Sequence, residues 1–530
     1  MPTELDNHLR AFTEGRISRR ELLKRATALG VAVALPAGLL AGEAHADTPQ
    51  SGGHLRVGSV QGSTTDSLDP ATLSSGFVNM LWYTIHGQLT EVNADGQLEP
   101  LLAESWEASD DATEWTFNLR KGVEFHNGKT VDSNDVIASL ARHQGEDSVS
   151  AMKSVVETIT EMKADGANRV TFTLKDGNAD FPFALSASSL SILPAKGDDV
   201  DLSGIGAGAY IVKHFEPGVR GSMERNPNHY VSGRAHVDSA EILVLADTTA
   251  RINALVTDEL DVSGDIEAKT AHLLAEKDGI TVEDTVSTQH YTFPMRTDLP
   301  PFDNNDVRMA LKLAIDREEV LKKIVRGRGS LGNDHPISPA NRYFNAELPQ
   351  RAYDPDKAKW HLKQAGMENL EVELVASDGL YSGATDTTVL FSEHAAKAGI
   401  KITPRRAPDD GYWSDVWLVA PWSASYWSGR PTEDWMFTQG YSAESNWNES
   451  YWRNEKFNQL LKEARGELDE AKRRDMYFEM QAITRDDCGS VIHLFANHIT
   501  AFRENVRHPE KVAGNWEFDG YKLIERWWLT

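Results

Sequence analysis

The chain has 530 residues, a formal net charge of −26, 40% hydrophobic and 25% charged residues, which suits a soluble protein of several domains, each with a sizeable core. The acidic balance excludes nucleic acid as the main partner and argues against adhesion to anionic lipid, because both demand a basic face. A single cysteine, Cys488, excludes an internal disulfide and a cysteine zinc site, and its neighbours Asp486 and Asp487 disfavour a reactive thiolate.

In chain order, Ser18-Arg19-Arg20-Glu21-Leu22-Leu23-Lys24 precedes an uncharged run from Ala26 to Gly42, and Ala44-His45-Ala46 supplies a small-x-small cleavage site. The block resembles a twin-arginine export signal, so residues 1–46 are expected to be a cleaved signal peptide and the mature chain to begin near Asp47 in the periplasm. Gly53 to Gly58 reads as a first strand and Phe77 to Leu89 as a helix. Trp115 to Leu119 alternates as a strand, Asn127-Gly128 marks a tight hairpin turn, and Asp132 to Asp135 opens a helix from Val136 to Arg142. Val170 to Leu174 is another alternating strand. The glycine cluster Gly204 to Gly208 leads into a strand from Tyr210 to Phe215 rather than into a helix, so it suits a tight crossing of chains and not a dinucleotide loop.

Further on, Arg251 to Leu260 reads as a helix and Ile280 to Phe293 as strand. Helices are expected at Val307–Ile315, Glu318–Val325, Asp356–Gln364, Asn454–Arg465 and Glu470–Thr484, several behind Asn or Asp caps. Strands at Glu371–Val375 and Ile400–Thr403 flank another helix. Helices and strands mix without regular alternation, which implies α/β domains built from discontinuous segments.

Ala103-Glu104-Ser105-Trp106, Trp115 to Arg120, Gly122-Val123 and Phe125-His126-Asn127-Gly128 closely match a family signature. Arg225-Asn226-Pro227-Asn228, Pro301-Phe302-Asp303 and Tyr353-Asp354-Pro355-Asp356 add to it. By these motifs the chain resembles bacterial extracellular solute-binding proteins, family 5, which serve peptide, opine and nickel ABC importers. The resemblance implies a two-lobed periplasmic binding protein with three domains. Segments 47–84, 207–286 and 502–530 would form the first, 85–206 an inserted second, and 287–501 a third that closes over the ligand. It also implies that His126 is structural, neither metal ligand nor catalyst.

A binding protein of this kind needs no catalytic residue, no metal and no cofactor. Its partners would be a small-molecule ligand and the permease subunits of an ABC importer, and it would act as a monomer. The segment Tyr412 to Trp452 is dense in aromatics, including Trp413, Trp417, Tyr426, Trp427 and Trp447, which suits either a ligand cavity or a domain core. Within it, Trp427-Ser428-Gly429-Arg430 looks like the family's ligand-anchoring loop. Peptide binders often carry an Asp there for the ligand's amino terminus; Arg430 prefers a carboxylate or phosphate. Asp434 is open to two roles, serving an ammonium group or orienting Arg430, and an Arg430–Glu433 surface pair is the plain alternative.

By family position, Asp334 and His335 lie near the pocket, Tyr291 and Phe293 on a strand entering the third domain, and Phe77 and Asn79 face the hinge. The expected ligand is peptide-like or a carboxylate-bearing amino-acid derivative, such as an opine. A nickel or metal-chelate binder of the same family is the runner-up. A periplasmic hydrolase is the other class, and no HExxH, GxSxG or S-x-x-K set supports it.

Overall fold

The computed structural model describes residues 48–530 apart from 73, 74 and 198; the expected signal peptide lies outside the described residues. Three main sheets organise the chain. The largest has seven strands, in the order Tyr210–Glu216, Arg220–Arg225, Ser239–Val244, His54–Ser59, Val262–Ser263, His498–Arg503 and Ile280–Thr285. His54–Ser59 runs parallel to two neighbours, with Val57 opposite Ile242 on one side and Val262 on the other. Leu55, Val57, Ala240, Ile242 and Val262 are all fully buried and alternate with the partly exposed Arg56 and Glu241, so one face of this central part packs into the core. The strand His498–Arg503 lies wholly in this sheet and spans the expected 501/502 boundary.

The second sheet is an antiparallel set of four, Ala103–Ala108, Glu114–Leu119, Arg169–Leu174 and Ile159–Ala164. Phe117, Phe172 and Phe181 meet edge to face in its core. Beside it, Asp132 caps the helix Ser133–Ala141 through a capping box with Asp135. The Asn127-Gly128 turn forms, with Gly128 in the left-handed region and a single bridge between Glu124 and Thr130.

The third sheet orders Gly329–Leu331, Ser490–Ala496, His290–Pro294 and Ser425–Trp427. Bridges from Met295 to Trp422 and from Val375 to Ser423 join it to the parallel pair Glu371–Ala376 and Lys401–Arg406, which the helix Ala384–Ala396 connects. No helix among the described residues is long and apolar enough to cross a membrane.

Two expectations change. The helix at Phe77 spans Gly76–Ile85 and stops before Leu89, because His86 turns extended where the glycine-rich segment crosses it. A Cβ on Gly206 would sit 2.0 Å from the Ile85 carbonyl oxygen, and one on Gly208 would be 2.5 Å from the Ile85 carbonyl carbon. His126 ties that crossing: its Nδ1 accepts from the Gly206 N–H at 3.2 Å and its Nε2 lies 3.2 Å from the Gly208 carbonyl. The expected strand Ile280–Phe293 is two strands, Ile280–Thr285 in the first sheet and His290–Pro294 in the third, since alternation does not reveal where a chain changes sheets.

Candidate functional site

The helix Gly76–Ile85 puts Asn79 and Tyr83 one turn apart on one face, and both line a cavity of about 490 Å³. Its other walls come from the Ser186–Ser189 stretch, from Arg430, Trp435, Gln439 and Trp447, and from Trp516, Tyr521 and Lys522 near the C-terminus. Thus segments far apart in sequence converge on one cleft. Phe77 does not take part. It is fully buried on the helix's core side and stacks on Phe215, 6.0 Å between ring centroids.

A second cavity of about 330 Å³ shares Arg430 and Trp447 with the first. Trp413, Trp417, Tyr426, Trp427, Ser428 and Glu449 complete its lining. A third, of about 410 Å³, shares Tyr426 with the second and is more polar, with Asp265, Glu267, Gln289, Arg328 and Glu517 in its wall. Strand register explains the shared wall: Tyr291 pairs with Tyr426 across neighbouring strands, and both line the third cavity. Tyr291 also stacks on Tyr381 at 3.7 Å, nearly parallel.

Arg430 is half-buried. Its Nε donates to the Gln439 Oε1 at 2.6 Å, and its Nη1 donates to the carbonyls of Ser428 at 2.8 Å and Gly429 at 3.0 Å. Among the described residues Nη2 makes no hydrogen bond and Arg430 has no carboxylate partner. Burial pushes this guanidinium down to about 10. The Arg430–Glu433 pair is absent, because Glu433 is buried and accepts the Tyr343 N–H at 2.6 Å.

Asp434 does not orient Arg430 either. It sits in the first turn of the helix Glu433–Tyr441 and accepts from the Arg465 Nε at 3.2 Å. Asp334 and His335 are also placed elsewhere. Asp334 is fully buried between Arg317 (2.6 Å) and Arg351 (2.7 Å), and neither it nor His335 lines these cavities. Burial pushes the Asp334 carboxyl upward, and the two guanidiniums overcome that and hold it below its ordinary value.

His335 is buried without a hydrogen-bond partner and, among the described residues, belongs to no group of three close metal donors. Among the described residues the grouping with three close donors is Asp316, Glu319 and His394, and it lines none of the cavities. Asp316 caps the helix Arg317–Lys323 there, and Glu319 meets the His394 Nε2 at 2.8 Å. Cys488 is fully buried, which pushes its thiol up and keeps it unreactive.

The sequence reading missed the C-terminal wall. Phe518, Asp519, Gly520 and Tyr521 are consecutive left-handed residues, and that tight reversal stacks Tyr521 on Trp516 at 6.2 Å beside the 490 Å³ cavity. It also missed Glu449, which accepts hydrogen bonds from the Trp417 Nε1 at 2.5 Å, the Trp427 Nε1 at 2.9 Å and the Ser425 hydroxyl. The mixed Trp-rich segment itself was visible; which of its rings face a cavity was not.

This arrangement can hold and bury a solute between segments of the chain. Comparison with known proteins agrees with that chemistry. Residues 97–449 match the family described as bacterial extracellular solute-binding proteins, family 5 Middle. Heme-binding protein A of Haemophilus influenzae is 27% identical over 439 residues, 73% of this chain and 77% of that protein.

Among solved structures, HbpA2 from Haemophilus parasuis superposes with a TM-score of 0.79 at 20% identity, covering 90% of this chain and 100% of that one. The periplasmic binding protein AgaA from A. tumefaciens R10, in complex with agropinic acid, gives a TM-score of 0.72 at 23% identity over 90% of this chain and 99% of that one. The fold is that of a two-lobed periplasmic binding protein. The chain belongs to the bacterial extracellular solute-binding proteins, family 5.

Proposed function

We propose that this chain is the exported ligand-capturing component of an ABC importer, and that its ligand carries a carboxylate held by Arg430. The observation that carries the reading is the uncompensated guanidinium at the junction of two cavities. A cation without a protein counter-ion, with one N–H corner unused, invites an anion from outside. Agropinic acid in AgaA, a protein of the same fold, is an acid and agrees in chemistry with such a ligand. Relatives named for di- and tripeptides keep a peptide carboxylate within the same class. No finding favours a hydrolase, and a metal ion at this junction would meet the Arg430 guanidinium, with Glu449 the one carboxylate in the lining of these two cavities.

In this reading segments 47–84, 207–286 and 502–530, with the insertion 85–206, face 287–501 across the cleft, and closure dries the ligand contacts. A dry contact is stronger than a wet one. Asp180 supports closure as a latch. Its carboxylate accepts from Arg473 at 2.8 Å and Arg342 at 3.1 Å, both on the opposite side of the cleft in this scheme. Delivery to the importer's permease subunits follows from the closed shape and needs no turnover.

The test starts with mass spectrometry of the solute that co-purifies with the exported protein, followed by its calorimetric titration into wild type and Arg430→Ala. The expected loss is about 2–5 kcal/mol, roughly thirtyfold to several-thousandfold in Kd. Equal affinity in the two proteins would remove Arg430 from the site.

A further inference from the structure

The 330 Å³ cavity is a box of aromatic rings. Trp413 meets Trp417 at 5.7 Å between centroids with planes 76° apart, and Trp417 meets Trp447 at 5.7 Å and 88°. Trp413 also meets Tyr426 at 5.8 Å and 67°, and Trp447 meets Trp427 at 5.9 Å. Near-perpendicular neighbours form walls instead of a stack. Trp413 and Trp447 are each 46% exposed, so large apolar faces stand open where an occupant would cover them. Trp417 and Trp427 direct their ring N–H groups at Glu449, which fixes the positive edges of both indoles on one carboxylate.

Glu449 has no cation. It is 6% exposed, and among the described residues it makes no ion pair. Its hydrogen-bond donors are two indoles and a hydroxyl, all neutral. An uncharged occupant would leave that carboxylate uncompensated in a dry box, which is costly, whereas a cation would compensate it. Aromatic faces attract cations too, and Trp427 already carries one, with the Arg430 guanidinium carbon 5.4 Å from its ring centroid. A primary ammonium would bring three N–H donors to a carboxylate that already accepts three bonds. A quaternary ammonium brings none and presents only methyl groups and charge.

We propose that this box holds the quaternary ammonium head of a ligand whose carboxylate lies on Arg430, so that the ligand class is the trimethylammonio carboxylates. The proposal rests on Arg430 as the carboxylate anchor and adds the opposite end of the molecule. The two uncompensated charges that line the same cavity, Arg430 and Glu449, are then answered by the two charges of one zwitterion.

The experiment is calorimetric titration of the full mature chain with trimethylammonio alkanoates bearing one to five methylene groups. Each is paired with its isostere in which carbon replaces nitrogen. At least one charged member is expected to bind about tenfold more tightly than its tert-butyl isostere. Trp413→Leu and Trp447→Leu, at exposed positions that leave the core intact, should each weaken that member severalfold and weaken its isostere less. Glu449→Gln should erase the preference for charge. Equal binding of the two series overturns the proposal and leaves an apolar box, and so does failure of every charged member to bind. A carboxylate ligand that needs Arg430 but ignores Trp413→Leu and Trp447→Leu removes the box and keeps the anchor. A bound ligand indifferent to Arg430→Ala removes the anchor itself.

Discussion

Asp334 and Arg430 both stood out in the sequence as charged candidates for the cleft, and the structure gives them opposite fates. Asp334 is fully buried and answered on both oxygens, by Arg317 at 2.6 Å and Arg351 at 2.7 Å. Arg430 is half-buried, lines two cavities, and is answered only by neutral acceptors. If Arg430 holds the ligand as proposed, what separates a structural charge from a binding charge in this protein is pairing, not burial. A paired buried charge holds the fold; an unpaired one facing a cavity waits for a counter-ion from outside.

The strongest way to break that comparison is to remove one member of each kind. Asp334→Ala leaves two buried guanidiniums without their shared carboxylate, and the expected loss in urea unfolding is about 3–5 kcal/mol. Arg430→Ala removes a charge that the fold does not compensate, so its unfolding curve should stay within about 0.5 kcal/mol of wild type while ligand affinity collapses. Equal destabilisation by the two substitutions would show that Arg430 is structural after all.

A second test uses Glu517, an acid in the wall of the 410 Å³ cavity. Burial pushes the Glu517 carboxyl up to about 8, and the nearby Asp265 charge adds to it, while Arg251 opposes it. A carboxyl raised in the folded state stabilises the fold while protonated. Its contribution is complete below the ordinary value of 4.5 and is lost as pH rises through about 8. Ligand-free wild type should therefore lose melting temperature across that window more steeply than Glu517→Gln, as read by differential scanning fluorimetry. Parallel pH profiles would mean that Glu517 is compensated and belongs with Asp334.

Much of the scaffold was legible because its signals are local. Asp132, Asn304 and Asp354 cap helices where the sequence placed caps, and Gly206 and Gly208 permit the chain crossing that their cluster suggested. The site was less legible because its signals are long-range. Phe77 and Asn79 are two residues apart, yet one enters the core and the other the cavity, and only packing decides which helix face does which. Asp334 finds its partners 17 residues away on either side, at Arg317 and Arg351, with no motif to announce them. Glu449 lies in an unremarkable Asn-Glu-Ser triplet and acquires its role from Trp417, Ser425 and Trp427.

The smallest expected effect bounds the comparison from the other side. Arg405 and Glu373 form a paired charge on neighbouring parallel strands, with Nε 2.7 Å from the carboxylate oxygen, but both side chains are about half exposed, at 46% and 52%. Water already solvates each partner, so pairing replaces little and the fixed geometry costs side-chain entropy. A double-mutant cycle on Arg405→Ala and Glu373→Ala should give a coupling of about 0.2–1 kcal/mol, shrinking with added salt. Pairing matters to this fold only where water is excluded, so a coupling here as large as the Asp334 loss would mean that pairing alone, without burial, sets the scale.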